Sequence, residues 1–343
     1  MFLLSKKFKD NMASMHGTYG TTMFMCVYYI IIGFIACLCN FLNLRIYSAN
    51  GEMRKRYIYF IAFEVGELIN SISFIMTGIG RMTTLLNGTI TMPITAHQCF
   101  YERWWVHVLI LGTEVPTLIL VLISIERICV VVKPALYNHL FSTIKRKSWL
   151  LFGTVSIAII SLIAGGFSAW NNGTIVNSGH CPIISSTDQW YSTMHFLFVI
   201  FGYTIAFFSL LVMNYYRRKL ARESMRLQRR DSKTNILIAF TGTSIAFVAS
   251  PSVVMIGIRW NVCTPDDIIV ALTYSATAMV SIANTVINFV FRDEFRRALF
   301  KGLKKIGMPS SDFGKSNLVN ASTANAMTGL DNTKSVYTVG SHH

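Results

Sequence analysis

Seven stretches of mostly apolar residues, each roughly 20 or more long, dominate this chain: about 22–47, 57–81, 104–131, 148–169, 191–215, 235–258 and 267–291. A helix of that length crosses the ~30 Å hydrocarbon core of a bilayer. The expected fold class is therefore an all-α membrane protein, a seven-transmembrane helix bundle. The second stretch carries Glu64, Glu67 and Asn70 but is otherwise apolar enough to insert. No internal repeat is visible, so the inverted-repeat architecture of many transporters gains no support.

Composition agrees. Charged residues make up only 14% of the chain, against about 25% in soluble domains. The formal net charge of +15 invites a nucleic-acid reading, but Lys and Arg cluster at helix ends, as membrane topology requires. No nucleic-acid partner is expected; the bilayer is. Phe2-Leu3-Leu4 is too short for a signal peptide, so the first span is expected to serve as its own insertion signal.

Orientation follows from the same charges. Arg54, Lys55 and Arg56 lie between spans one and two. Lys133, Lys145, Arg146 and Lys147 lie between three and four. Eight basic residues from Arg217 to Lys233 lie between five and six, and Arg292, Arg296, Arg297, Lys301, Lys304 and Lys305 follow span seven. The opposite side has only Arg81, Arg103 and Arg259 in its loops, outvoting Lys6, Lys7 and Lys9. The expectation is a multi-pass plasma-membrane protein with its N-terminus outside and its C-terminus in the cytosol.

The sequons at Asn87 and Asn172 fall on the expected outside, and the one at Asn320 in the cytosolic tail. Cys99, Cys181 and Cys263 also fall outside, where disulfides persist. The expected divisions are a tail over 1–21, the membrane domain over 22–291, a helix over 292–307 and a disordered polar tail over 308–343. Phe295, Leu299, Leu303 and Ile306 recur at helical spacing among basic residues. That pattern predicts an amphipathic eighth helix on the inner leaflet.

The third span ends Ser124-Ile125-Glu126-Arg127-Ile128, with Pro134 and Tyr137 following. Ionised residues at a membrane helix end are costly unless they act. This string resembles the rhodopsin-like G-protein-coupled receptors, whose third helix ends in Asp/Glu-Arg-Tyr followed by Pro-x-x-Tyr; here Ile128 replaces the Tyr. The likeness extends to Asn40, Glu67-Leu68, Pro251, the run Asn284-Thr285-Val286-Ile287-Asn288 in place of Asn-Pro-x-x-Tyr, and Phe295-Arg296 at the start of an eighth helix. Departures are Ala249 where the family has Trp, no proline in the fifth span, and Cys99 three residues early. The pattern is similar to the divergent nematode serpentine chemoreceptors, the Srsx-like branch among them.

The resemblance implies a receptor that binds an extracellular ligand, a peptide or a small chemosensory molecule, between the outer halves of helices 3, 5, 6 and 7. It implies a heterotrimeric G protein as partner, and arrestin through the Ser/Thr-rich tail. It implies a Cys99–Cys181 disulfide, with Cys263 as the competing partner, and a switch of Glu126, Arg127, Asp231, Pro134, Tyr137, Pro251 and Asn284. Asp231 falls where many members place an acidic partner for the arginine, or it merely offsets Arg229 and Arg230. A buried cluster of Asn40, Glu67 and Asn284 reads as a sodium site, a proton-taking site or plain structural bonding. Glu114 reads equally as the counter-charge of a cationic ligand or as a protonated acid bonded to a neighbouring helix. Leu109 stands where amine receptors carry Asp, which argues against an amine ligand.

The rival class is a transporter or channel. Enzyme readings find no footing: His97, His107, His139, His180 and His195 lack metal-ligand spacing, and no nucleophile motif or phosphate loop is present. No cofactor is expected.

Overall fold

The computed structural model describes residues 2–49, 51–176, 179–223, 232–263, 267–292 and 295–300. Among the described residues, seven helices are long and apolar enough to cross a membrane: α1 (Tyr19–Tyr47), α2 (Ile58–Leu86), α3 (Trp105–Val132), α4 (Ile144–Ala169), α5 (Gln189–Tyr216), α6 (Ile238–Arg259) and α7 (Ile268–Phe291). In hydrocarbon a backbone must satisfy its own N–H and C=O groups, which is why such segments become helices. The protein is an all-α seven-helix bundle. Its chain divides into two compact units, Met1–Asp293 and Glu294–His343. The bundle lies in the first. Of the expected amphipathic helix, residues 295–300 are helical; the rest lies outside the described residues, as does the tail. The helix that carries α1 begins at Phe2.

α3 is the axis of the bundle. In its most apolar window 67% of residues are buried, against 17% in α4. The rest of α4 presents Phe152, Ile157, Ile160, Ile163 and Phe167 outward, as a helix set against lipid should. α1 does likewise with Phe24, Ile31, Phe34, Leu38 and Phe41. α1 and α2 approach through glycines. A Cβ on Gly78 would stand 2.7 Å from the Cys26 carbonyl oxygen, and one on Gly33 would stand 2.9 Å from that of Ser71. Small residues at helix crossings are how membrane helices gain van der Waals contact, since lipid supplies no hydrophobic drive between them.

α6 contains a π-helical turn at Ile245–Ala249 directly before Pro251. A proline cannot donate the backbone hydrogen bond its position calls for, and a widened turn absorbs the mismatch.

One end of the bundle is roofed. A two-stranded antiparallel pair, Ile94–Thr95 with Ile175–Val176, joins the α2–α3 and α4–α5 connections. The short helix Ala96–Glu102 follows, with Thr95 and Gln98 forming a capping box at its start. Cys99 sits in this short helix rather than in α3, and bonds Cys181 with Cα atoms 5.3 Å apart. Its early position is thus accommodated by an extra turn before α3. Cys263 is free and exposed.

This bond closes a separation of 82 residues. Cys181→Ser is expected to cost about 2–4 kcal/mol of stability, read as a lower apparent melting temperature in micelles. Reducing wild type should reproduce the loss and leave Cys181→Ser unaffected.

One sequence expectation is corrected here. Arg81 is not a loop charge. α2 runs on to Leu86, and Arg81 lies within it, only 8% exposed.

Candidate functional site

The roofed end encloses a cavity of about 340 Å³. Its walls come from α1 (Met25, Tyr29), α2 (Arg81), α7 (Val270, Ala271, Tyr274) and the roof (His180, Pro182, Ile184). Arg81 Nε donates to the His180 carbonyl at 2.8 Å, and its guanidinium lies 5.5 Å from the centre of the Tyr29 ring. Tyr29 in turn donates to the Ala271 carbonyl at 3.2 Å, tying α1 to α7. Burial, and secondarily the Arg81 charge, push the His180 imidazole down to about 4. At neutral pH His180 is therefore uncharged.

A second cavity lies deeper, between α2, α3, α5, α6 and α7. This is the helix set where the resemblance placed a ligand, but the space is narrow, about 20 Å³, room for about one water. Its lining is mainly apolar, with Thr113, His195, Ser252 and Pro251 among it. Tyr274 lines both cavities.

Glu114 lines neither cavity. It points into the seam of α3, α4 and α5, where Oε1 accepts from Ser161 at 2.8 Å and lies within hydrogen-bond distance of His195 Nδ1, at 2.7 Å. Thr113 Oγ1 meets the other ring nitrogen at 3.2 Å. The arrangement is that of an acid bonded to neighbouring helices. The histidine's role was not legible in sequence, because its partner is 81 residues away on another helix.

Mid-bundle, Asn40 donates to Ser71 at 2.9 Å and to Ser281 at 3.0 Å, and Ser281 donates to Glu67 at 3.1 Å. Asn40 and Glu67 are thus joined through a serine of α7. Asn284 is fully buried nearby in sequence, but its amide makes no hydrogen bond among the described residues. A parallel link went unread in the sequence: Asn43 donates to Glu64 at 2.9 Å and to Thr285 at 3.1 Å. Together these bonds staple α1 to α2 and α7. No cluster of three or more metal-ligating side chains occurs among the described residues.

At the unroofed end, Glu126 faces Lys147 of α4 at 2.6 Å, while Arg127 is 4.0 Å from it. Arg127 is one third exposed. Arg127 is the neighbour of Glu126 in the chain, but the nearer partner is the lysine one helix away, which also lies 5.3 Å from the Tyr59 ring centre. Asp231, the proposed partner across the bundle, lies outside the described residues. Pro134 opens the short helix Pro134–Leu140, where its missing N–H is no loss. Tyr137 stacks on Phe141, which meets Tyr59 edge-on.

At the same end Arg292 sits among four rings, 4.7 to 5.9 Å from the centres of Phe60, Tyr47, Tyr57 and Phe240. It donates to the Tyr47 hydroxyl at 2.6 Å, and that hydroxyl donates to Asn288 at 2.8 Å. Through Tyr47 the end of α1 is thus tied both to Asn288 of α7 and to Arg292 just past it. Both sequons on the roofed side, Asn87 and Asn172, lie in connections, Asn87 exposed and Asn172 half-buried.

No known protein-family model matches the chain, and no curated protein matches it.

Proposed function

We propose that this chain is a seven-helix receptor of the rhodopsin-like kind, which binds a ligand at the roofed, extracellular end and activates a heterotrimeric G protein at the other. The observation that carries the reading is the far end of α3. The most buried helix of the bundle carries Glu126-Arg127 in its last two turns, with Glu126 held by Lys147 and Arg127 left partly open. The larger of the two cavities lies at the opposite end, under the roof. A ligand there would act by its differential affinity for two arrangements of the unroofed end. The arginine then faces the G protein.

The test is nucleotide exchange by purified G proteins in vesicles carrying the receptor, with solute flux measured in parallel. Exchange without flux supports the reading. Flux without exchange overturns it in favour of a transporter or channel.

The orientation has its own check. Endoglycosidase is expected to shift the gel mobility of wild type, Asn172→Gln should reduce that shift, and Asn320→Gln should leave it intact. A glycan on Asn320 would invert the topology.

A further inference from the structure

We propose that the roofed cavity is a binding site for a small organic carboxylate with an apolar body, and that Arg81 is its counter-charge. This rests on the receptor reading for its consequence but not for its chemistry.

An arginine that is 8% exposed is expected to sit against a carboxylate, because a buried charge without a partner is costly. Among the described residues none lies within ion-pair reach: the described pairs are Glu126 with Arg127 and Lys147, and Glu114 with His195. The roofed end, outside the helices that cross the bundle, has two acids whose side chains are described. Glu102 is exposed on the short helix, and Asp188 lies near Arg259. Neither lines the cavity. What Arg81 has is the His180 carbonyl, a tyrosine ring and open space of about 340 Å³. That volume is at the small end of the ligand-pocket range.

The rest of the lining sets the ligand's class. Met25, Val176, Ile184, Ile258, Val270 and Ala271 are apolar, with Ser185 and Asn261 among them, so the body of the ligand is mainly apolar. Arg81 brings one positive charge. His180, whose imidazole is held down to about 4, brings none at neutral pH. A single charge suits a carboxylate better than a phosphate dianion, and a guanidinium fork matches the two oxygens of a carboxylate.

The experiment uses the full chain in nanodiscs and three probes of increasing bulk: butanoate, octanoate and phenylacetate. Octanamide and octylamine serve as neutral and cationic matches of octanoate. At least one carboxylate is expected to raise the melting temperature, with the amide and the amine without effect. Arg81→Gln should weaken that carboxylate about 10- to 100-fold, and Arg81→Lys by less. Val270→Phe, which fills the cavity and spares Arg81, should also abolish binding; it decides the matter if Arg81→Gln does not fold.

The proposal is overturned if no carboxylate binds, if octanamide binds as well as octanoate, or if Arg81→Gln or Val270→Phe binds like wild type. Binding needs no G protein. Carboxylate binding without nucleotide exchange would therefore count against the receptor reading and leave this site standing, and exchange without carboxylate binding would do the reverse.

Discussion

Replacing His195 with leucine is expected to lower the apparent melting temperature by about 5–10 °C, a loss of about 3–5 kcal/mol. The imidazole has no exposed surface and joins Glu114 at 2.7 Å. Without it, Glu114 keeps Ser161 alone, and its second oxygen already has no partner. An acid left so is held in apolar surroundings with most of its desolvation uncompensated. The double variant Glu114→Leu/His195→Leu should recover much of the loss, because two apolar side chains of similar volume need no such compensation. The measurement is thermal unfolding of the purified protein in one detergent across the four corners of the cycle. A double variant whose loss equals the sum of the two single losses would mean that the two residues are not coupled.

The second large effect separates two cations that look equivalent in sequence. Lys147→Met should destabilise by about 2–4 kcal/mol, since it strips Glu126, 6% exposed, of its 2.6 Å partner. Arg127→Ala should cost no more than about 1 kcal/mol, because its contact is 4.0 Å long and partly solvated and Lys147 remains. In exchange assays at matched expression the ranking should reverse in kind. Arg127→Ala should lose at least about tenfold of stimulated exchange, about 1.4 kcal/mol, while the protein still folds. Normal exchange in Arg127→Ala would show that the likeness at this motif does not extend to mechanism.

The bundle itself was plain in the sequence, because a span announces itself by length and hydropathy alone. Six of the seven spans were bounded within a few residues. The exception was the end of α2, cut at Arg81 because a charge reads as an interface; the helix in fact runs on to Leu86. The same habit hid the cavity. A buried arginine and a loop arginine are one letter, and only the fold tells them apart.

The site residues divide the same way. Glu126 and Arg127 were found from a string, being neighbours in the chain. Lys147, His195, Asn43 and Arg292 were not, because their partners lie on other helices, and a helical period predicts which face a residue occupies without saying what stands opposite. Glu114 was left between two readings, and the seam of α3, α4 and α5 favours the neighbouring-helix one.

The setting of Arg292 bears on how the unroofed end can move. Four rings from α1, α6, α2 and its leading turn share one guanidinium, and Tyr47 passes its hydroxyl on to α7. Each ring's attraction for the cation weakens as the distance grows, so an element that draws away gives up its contact with Arg292. Departure of α6, through Phe240, removes one wall and admits water, which weakens the grip of the other three. The junction therefore ties α1, α2 and α6 to one side chain just past α7, so separating these helices must break contacts at Arg292.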